Sequence, residues 1–335
     1  ALSLLLWISI PFVSSIFVSP SDKFEGMTKL SEHENSIINE MCGTQAGVNK
    51  MNHGTIAKKG QFPWAVAIES RYYNRFCTGT IISQRHVLTA AHCVIKHEYL
   101  DALNCQKKSI ESESEEIYDD IVGGYVAYGG TCNYAAPNDK FNVSGSPCKK
   151  DDMTRVLISA VTWEKRYRDR IEAERCTNFD VAIIEVARDF RWSKFARPVC
   201  LSLNDCDYED MIATFYGFGV VNFTTPTDDK AKYEYFPDLR YGAGFLSKLP
   251  KTLRMSVAPK LIESAIVREE TSPFSQIESG DSGGGIVVNW GSRSILVGIA
   301  TEALKDDFKS RGAQIYPHIS EICELTGVCP IDQCR

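Results

Sequence analysis

No Cys-x-x-Cys pair and no His-Glu-x-x-His run occurs in this chain, so the common zinc spacings are missing. No glycine-rich loop is placed to cradle a phosphate, and no basic stripe is interleaved with aromatics. The formal net charge of −6 is opposite in sign to a surface built for nucleic acid. After the first nineteen residues no stretch is long and apolar enough to span a bilayer. These absences argue against metal-dependent, nucleotide-binding, nucleic-acid-binding and multi-spanning readings, and no cofactor is expected. What remains is an ordinary globular composition, 44% hydrophobic and 24% charged. At 335 residues the chain can form one large all-β domain or two small ones.

Residues 1–20 are apolar and nearly uncharged, and read as a secretory signal peptide with cleavage between Ser15 and Ser21. The competing reading is an uncleaved anchor, which Pro11, Pro20 and the serines disfavour. Twelve cysteines, an even number, suit an oxidising compartment. The expectation is therefore a secreted, extracellular monomer with no membrane attachment after cleavage. Asn142-Val143-Ser144 and Asn222-Phe223-Thr224 are acceptors for N-glycans if the chain is exported. Residues 21–50 are polar and mixed in charge, and read as a pro-segment.

The most informative stretch is Ser279-Gly280-Asp281-Ser282-Gly283-Gly284-Gly285. Glycines in such density suit neither helix nor strand, and mark a backbone that takes special dihedrals or approaches something closely. The N–H groups of Gly280 and Ser282 could converge on a developing oxyanion; alone, the stretch could equally be a glycine-rich turn. A serine nucleophile needs a base, and the base needs orienting. Val87-Leu88-Thr89-Ala90-Ala91-His92-Cys93 is an apolar strand that ends in a histidine. Asp180 opens the β-branched run Val181-Ala182-Ile183-Ile184, which reads as a buried strand. The chain order His92, Asp180, Ser282 is one of the convergent orders of the catalytic triad.

With these motifs the chain, over about residues 51–326, resembles the chymotrypsin/trypsin-like serine peptidases. The resemblance implies an all-β fold of two packed six-stranded antiparallel β-barrels with a short C-terminal helix, the active site lying in the seam. It assigns 51–335 to the peptidase domain, which opens with Gly60-Gln61-Phe62-Pro63-Trp64, and Tyr216-Gly217-Phe218-Gly219 matches a family turn. By analogy, cleavage after Lys50 frees an ammonium at Met51 that pairs with Asp281 and builds the oxyanion hole, although Met51-Asn52-His53-Gly54 stands where Ile-Val-Gly-Gly is usual. Ile121-Val122-Gly123-Gly124 spells that N-terminus but lies beyond His92, and reads instead as a strand feeding Tyr125 to Gly130. The resemblance also implies disulfides Cys77–Cys93, at the histidine loop, and Cys42–Cys200, holding the pro-segment. Cys132 with Cys148 and Cys105 with Cys176 are further candidate pairs, the connectivity being open.

Between His92 and Asp180 the chain is about twice the family's usual length, so an insertion is placed at about 98–155. Its acidic run Glu111–Glu116 is most simply a solvated loop, with a calcium site or a docking exosite as alternatives. The substrate pocket departs from the family: Gln276 replaces the aspartate that selects Lys and Arg, and Glu278 replaces a pocket cysteine. Thr301-Glu302-Ala303 stands for Ser-Trp-Gly, and Gln314 replaces a glycine. A neutral amide cannot pair with a buried guanidinium as a carboxylate does, so no strong Lys/Arg preference is expected. The long insertion, the Tyr-Gly-Phe-Gly turn and the lost pocket disulfide resemble a group of secreted nematode trypsin-like proteins. The expected function is a secreted serine endopeptidase, made as a zymogen, that acts on protein or peptide substrates after an activating protease. The alternative is a catalytically weak or inactive binding protein on the same fold.

Overall fold

A computed structural model describes residues 17–18, 27–45, 55–71, 76–95, 100–101, 106–107, 121–133, 148, 150–164, 179–203, 205, 208, 211–223, 232–235, 238–249, 252–256, 277, 280–304 and 309–332. The Val/Ile/Leu-rich runs become strands, and the longer ones close into two antiparallel rings. The first ring contains β1 (Ala65–Glu69), β2 (Phe76–Ile81), β3 (His86–Thr89), β4 (Tyr125–Tyr128), β5 (Thr154–Glu164) and β6 (Ala182–Val186). Its order is β5-β6-β3-β2-β1-β4, with β4 pairing back onto β5. The second contains β7 (Ile212–Gly217), β8 (Arg240–Leu249), β9 (Thr252–Ser256), β10 (Gly285–Trp290), β11 (Arg293–Leu304) and β12 (Lys309–Gln314). Its order is β7-β10-β11-β12-β9-β8, closed by β8 on β7. Closure leaves no unpaired sheet edge to cover, and this is the trypsin-like two-barrel fold.

β6 is buried at every position, which is why its sequence does not alternate and is apolar except for Glu185. With Trp64, Val66, Ile68, Ile81, Val87 and Leu88 it fills the first core. Phe215, Leu246, Ile286, Val288, Ile295 and Val297 fill the second. The rings meet through aromatic rings and hydroxyls. Phe62, from the opening motif, stacks on Tyr216 at 5.1 Å and tilts against Tyr241 at 5.2 Å. The hydroxyls of Thr80 on β2 and Tyr216 on β7 lie 2.8 Å apart, fully inside the seam. Burial pushes the Tyr216 phenol well above its ordinary pKa, so it serves as a neutral hydrogen-bonding group.

Within the stretch expected to be a pro-segment, residues 27–45 pack onto the barrels. Glu32–Met41 forms helix α1, started by a capping box in which the Ser31 hydroxyl accepts from Glu34 N–H and Glu34 accepts from Ser31 N–H. Its side chains grip the body. Asn35 donates to the Cys329 carbonyl at 2.8 Å and accepts from the Cys329 N–H at 3.0 Å. Glu34 pairs with Arg85 at 2.6 Å and accepts from Gln84 at 2.7 Å. Leu30 and Ile38 are buried in the first core. The C-terminal helix α2 (Ile319–Thr326) ends at Gly327, whose left-handed conformation (φ 71°) closes the helix against Leu30.

Disulfides join Cys42 to Cys200, Cys77 to Cys93 and Cys132 to Cys148, and an additional one joins Cys323 to Cys329. Cys105 and Cys176 lie outside the described residues. Two readings need correction. Tyr125–Tyr128, within the stretch assigned to the insertion, is a barrel strand paired on both sides, so the extra residues flank it. Ile121–Gly123 is a turn rather than a strand, with Gly123 at φ 85°. Phe17 and Val18, inside the expected leader, pair with Glu164 and Trp163 at the end of β5. Among the described residues no helix is long and apolar enough to cross a membrane.

Candidate active site

His92 lies in a single 3-10 turn (Ala91–Cys93) directly after β3, and the Cys77–Cys93 disulfide ties that turn to β2. Asp180 lies just before β6, the neighbour of β3 in the ring. Strand pairing alone therefore brings the two together. Asp180 Oδ2 is 2.6 Å from His92 Nδ1, and Oδ1 accepts from the His92 backbone N–H at 2.9 Å. A carboxylate that is only 3% exposed is costly to bury without such partners. Bonded at both oxygens, it fixes the orientation of the imidazole.

The turn that delivers Asp180 is strained and braced. Phe179 has φ 68°, unusual for a bulky residue. Its ring is buried and meets the edge of the His318 ring at 5.9 Å. His318 Nδ1 is 3.1 Å from Glu164 Oε2, with both residues buried. The Glu164 N–H donates to the Val181 carbonyl at 3.0 Å. This bracing was not legible in the sequence, because Glu164, Phe179 and His318 follow no spacing that links them.

Ser282 comes from the second barrel, just before β10, and its loop seats against the histidine side of the seam. The Ser282 carbonyl accepts from Thr78 N–H at 2.8 Å and lies 3.7 Å from Cys93 Sγ. Gly283 has φ 84°, and a Cβ there would collide with the Thr89 hydroxyl and the Thr78 carbonyl. Only glycine permits that approach. Gly280 also has positive φ, at 97°. Asp281 Oδ1 accepts from Gly219 N–H at 2.8 Å, and the carboxylate fills the space where side chains on Gly217 and Gly219 would stand. Burial pulls the Arg240 guanidinium below its usual pKa, and the Asp238 and Asp281 carboxylates nearby oppose that shift.

The pocket candidates gather on two adjacent strands. Thr301 is the extra residue where the β11–β12 register shifts between Ala300 and Glu302. It is buried, and its hydroxyl donates to the Arg311 carbonyl at 3.2 Å. Glu302 pairs with Arg311, Ala303 with Ser310, and Gln314 with Gly298. The Ala300 carbonyl accepts from Gly283 N–H at 2.8 Å, which ties this strand to the Ser282 loop. Gln276, Glu278, Lys50, Met51 and Asn142 lie outside the described residues. Asn222 belongs to a two-stranded ribbon, Val220–Phe223 with Lys232–Tyr235, instead of the loop expected. Two groups of potential metal ligands occur among the described residues, Cys77/His92/Cys93 and Cys132/Cys148/Asp238. In each, the two sulfurs are joined as a disulfide and offer no thiolate.

A histidine–aspartate pair on one antiparallel barrel, facing a Gly-Asp-Ser-Gly loop on another, defines the architecture of the trypsin-like serine proteases. Within that class, residues 9–210 match the family model described as the nematode trypsin-6-like family, and the chain belongs to that family. The match takes in His92 and Asp180 and stops short of Ser282. Among curated proteins the chain is 23% identical over 214 residues to CLIP domain-containing serine protease B15 of Anopheles gambiae, covering 60% of this chain and 50% of that one. It is 26% identical over 166 residues to phenoloxidase-activating factor 3 of Holotrichia diomphalia, covering 48% and 40%. The chain thus spans half or less of these relatives' length.

Proposed function

We propose that this chain is a secreted serine endopeptidase, with Ser282 as nucleophile, His92 as general base and then acid, and Asp180 as the group that holds the imidazole. The observation that carries the reading is the doubly bonded Asp180–His92 pair, with the Ser282 loop seated against the turn that bears His92. In this reading Ser282 Oγ attacks the scissile carbonyl while His92 takes its proton and later returns it to the leaving amine. Asp180 stabilises the imidazolium without itself becoming protonated. Gly280 and Ser282 N–H groups receive the oxyanion.

The chain is made as a zymogen cleaved after Lys50, and the Met51 ammonium joins Asp281, a half-buried carboxylate that already receives Gly219 N–H. The Cys42–Cys200 disulfide and the docked α1 keep the leading segment in place after cleavage. A leader at residues 1–20 directs export, and Asn142 and Asn222 carry glycans. Substrates are proteins or peptides without a dominant Lys or Arg at P1, since Gln276 offers no charge. One relative is named as a phenoloxidase-activating factor, which fits a protease that acts on protein substrates.

The second reading, a binding protein on the same fold, draws on the altered pocket residues Thr301, Glu302 and Gln314. One experiment separates the two. The secreted protein is treated with a Lys-specific protease and then with a serine-directed phosphonate. Labelling that appears only after cleavage, and is lost in Ser282→Ala, supports the peptidase and the zymogen. Absence of labelling in both states rejects the peptidase, and labelling before cleavage rejects the zymogen alone. A peptide library profile dominated by basic P1 residues would refute the specificity.

A further inference from the structure

Thr78 is fully buried on β2, beside the disulfide that holds the His92 turn, and all four of its polar bonds cross to other segments or strands. Its N–H donates to the Ser282 carbonyl at 2.8 Å, and its carbonyl accepts from the Thr89 hydroxyl at 2.9 Å. Its hydroxyl donates to the Gly280 carbonyl at 2.9 Å and accepts from Phe218 N–H at 3.0 Å. One residue of the first barrel therefore holds the carbonyls of Gly280 and Ser282, the two residues whose N–H groups would receive an oxyanion.

Peptide units are planar, so a held carbonyl fixes its whole unit. The 280–281 unit is held by the Thr78 hydroxyl, and the 282–283 unit by Thr78 N–H together with the Gly283 N–H to Ala300 bond. The unit between them, which carries Ser282 N–H, is held where Asp281 O accepts from Gly284 N–H at 2.9 Å. Gly280 N–H belongs to the preceding unit, so the Thr78 hydroxyl acts on it indirectly: the held carbonyl anchors the Gly280 Cα about which that preceding unit would turn. The same hydroxyl secures Phe218, so the Tyr216–Gly219 turn is tied to the nucleophile loop twice, here and at Gly219 N–H to Asp281 Oδ1.

We propose that Thr78 is a positioning residue for the oxyanion hole, its hydroxyl anchoring the Gly280 carbonyl, and through it the Gly280 Cα, together with the Phe218 turn in the geometry that catalysis needs. This rests on the peptidase reading above and deepens it: part of the ordering of the hole comes from the first barrel and not from the Asp281 pairing alone.

The test compares wild type, Thr78→Val and Thr78→Ser as full chains, cleaved with the Lys-specific protease and checked for cooperative unfolding. Valine keeps the shape and removes the hydroxyl, whereas serine keeps the hydroxyl and removes the methyl. Thr78→Val should lose about 10- to 100-fold in kcat with KM within about twofold, as expected for an interaction used mainly in the transition state. Its affinity for a peptide boronic acid, which places an oxygen in the hole, should fall in parallel. Thr78→Ser should stay within about threefold of wild type. If the valine variant fails to fold, Thr78→Ala replaces it in the same comparison. Wild-type kcat in the hydroxyl-less variant, or equal losses in both variants, would overturn the role of the hydroxyl. A cleaved wild-type chain that hydrolyses nothing would overturn the peptidase reading beneath it.

Discussion

His86 gives the sharpest prediction for stability. It lies on β3, wholly buried, with Nδ1 2.8 Å from the Ser83 hydroxyl. Burial, followed by the nearby positive charge of Arg85, lowers its pKa to about 3 from the usual 6.5; Glu34 and the backbone of Thr28 oppose the shift only weakly. The folded state therefore keeps His86 neutral while the unfolded chain binds a proton below pH 6.5. Stability from this group is complete above pH 6.5 and is lost as pH falls from there toward 3. Between pH 7 and pH 5 the loss is about 2 kcal/mol, approaching roughly 5 kcal/mol near pH 3. Thermal unfolding at pH 7, 6 and 5 should show wild type losing several degrees more than His86→Gln, which has no proton to bind. A histidine resonance for residue 86 titrating near pH 6.5 in the folded protein, or identical pH slopes for the two chains, would refute the argument. His86 also faces Glu185 across β6, and Glu185 accepts from Thr28 N–H at 2.8 Å. The first structure to loosen on acidification should therefore be the segment around residues 27–30, read by hydrogen exchange.

Other outcomes test the site and its supports. Asp180→Asn should leave the fold intact and lower kcat by about 10⁴, because it favours the wrong imidazole tautomer; turnover of the cleaved chain measures it, and a loss under tenfold would count against the pair. Gly283→Ala should destabilise the nucleophile loop by about 3–5 kcal/mol, from left-handed strain plus overlap with Thr89 and Thr78; denaturant unfolding should show it, and a neutral effect would mean the loop does not seat as described. Asn35→Ala removes one donor and one acceptor from the Cys329 backbone and should cost about 2–3 kcal/mol, against about 1 kcal/mol for Asn39→Ala, which loses a bond to the same carbonyl at 3.0 Å.

The parts of the fold that could be read from sequence are those where local pattern and family motif coincide. The run Val181–Ile184 is apolar without alternation because the strand is buried on both faces, and the glycines of 280–285 cluster because several approaches there leave no space for a Cβ. Helix α1 was available in principle, since Ser31-x-x-Glu34 is a capping box, but a polar helix shows only a weak apolar stripe. Its buried contacts are few, and much of its attachment runs through side-chain amides to the Cys329 backbone, which no periodicity reports. The place of Tyr125–Tyr128 in the barrel was hidden for a different reason. It is a four-residue strand lying between stretches of unusual sequence, and only its pairing with β1 and β5 identifies it. The Glu164–His318 pair joins residues 154 positions apart, beyond anything local chemistry encodes.

The distribution of departures bears on the choice between enzyme and binding protein. On the first barrel the histidine and aspartate keep their mutual bonds, and Phe179 holds a strained dihedral behind Asp180 with the buried Glu164–His318 pair next to it. Strain of this kind costs about 1–3 kcal/mol and persists only where the surroundings enforce it. On the second barrel the changed residues Thr301, Glu302 and Gln314 lie on the strands β11 and β12, where the family resemblance puts the substrate pocket. The clamp at Thr78 joins the two barrels through a buried hydroxyl with both its roles used, donor to Gly280 and acceptor from Phe218. A scaffold that only binds would need neither a strained aspartate turn nor an ordered Gly280 peptide. Departures in the pocket residues would alter which substrate is accepted without touching the proposed His92–Asp180 pair, and this favours the proposed peptidase over the binding protein.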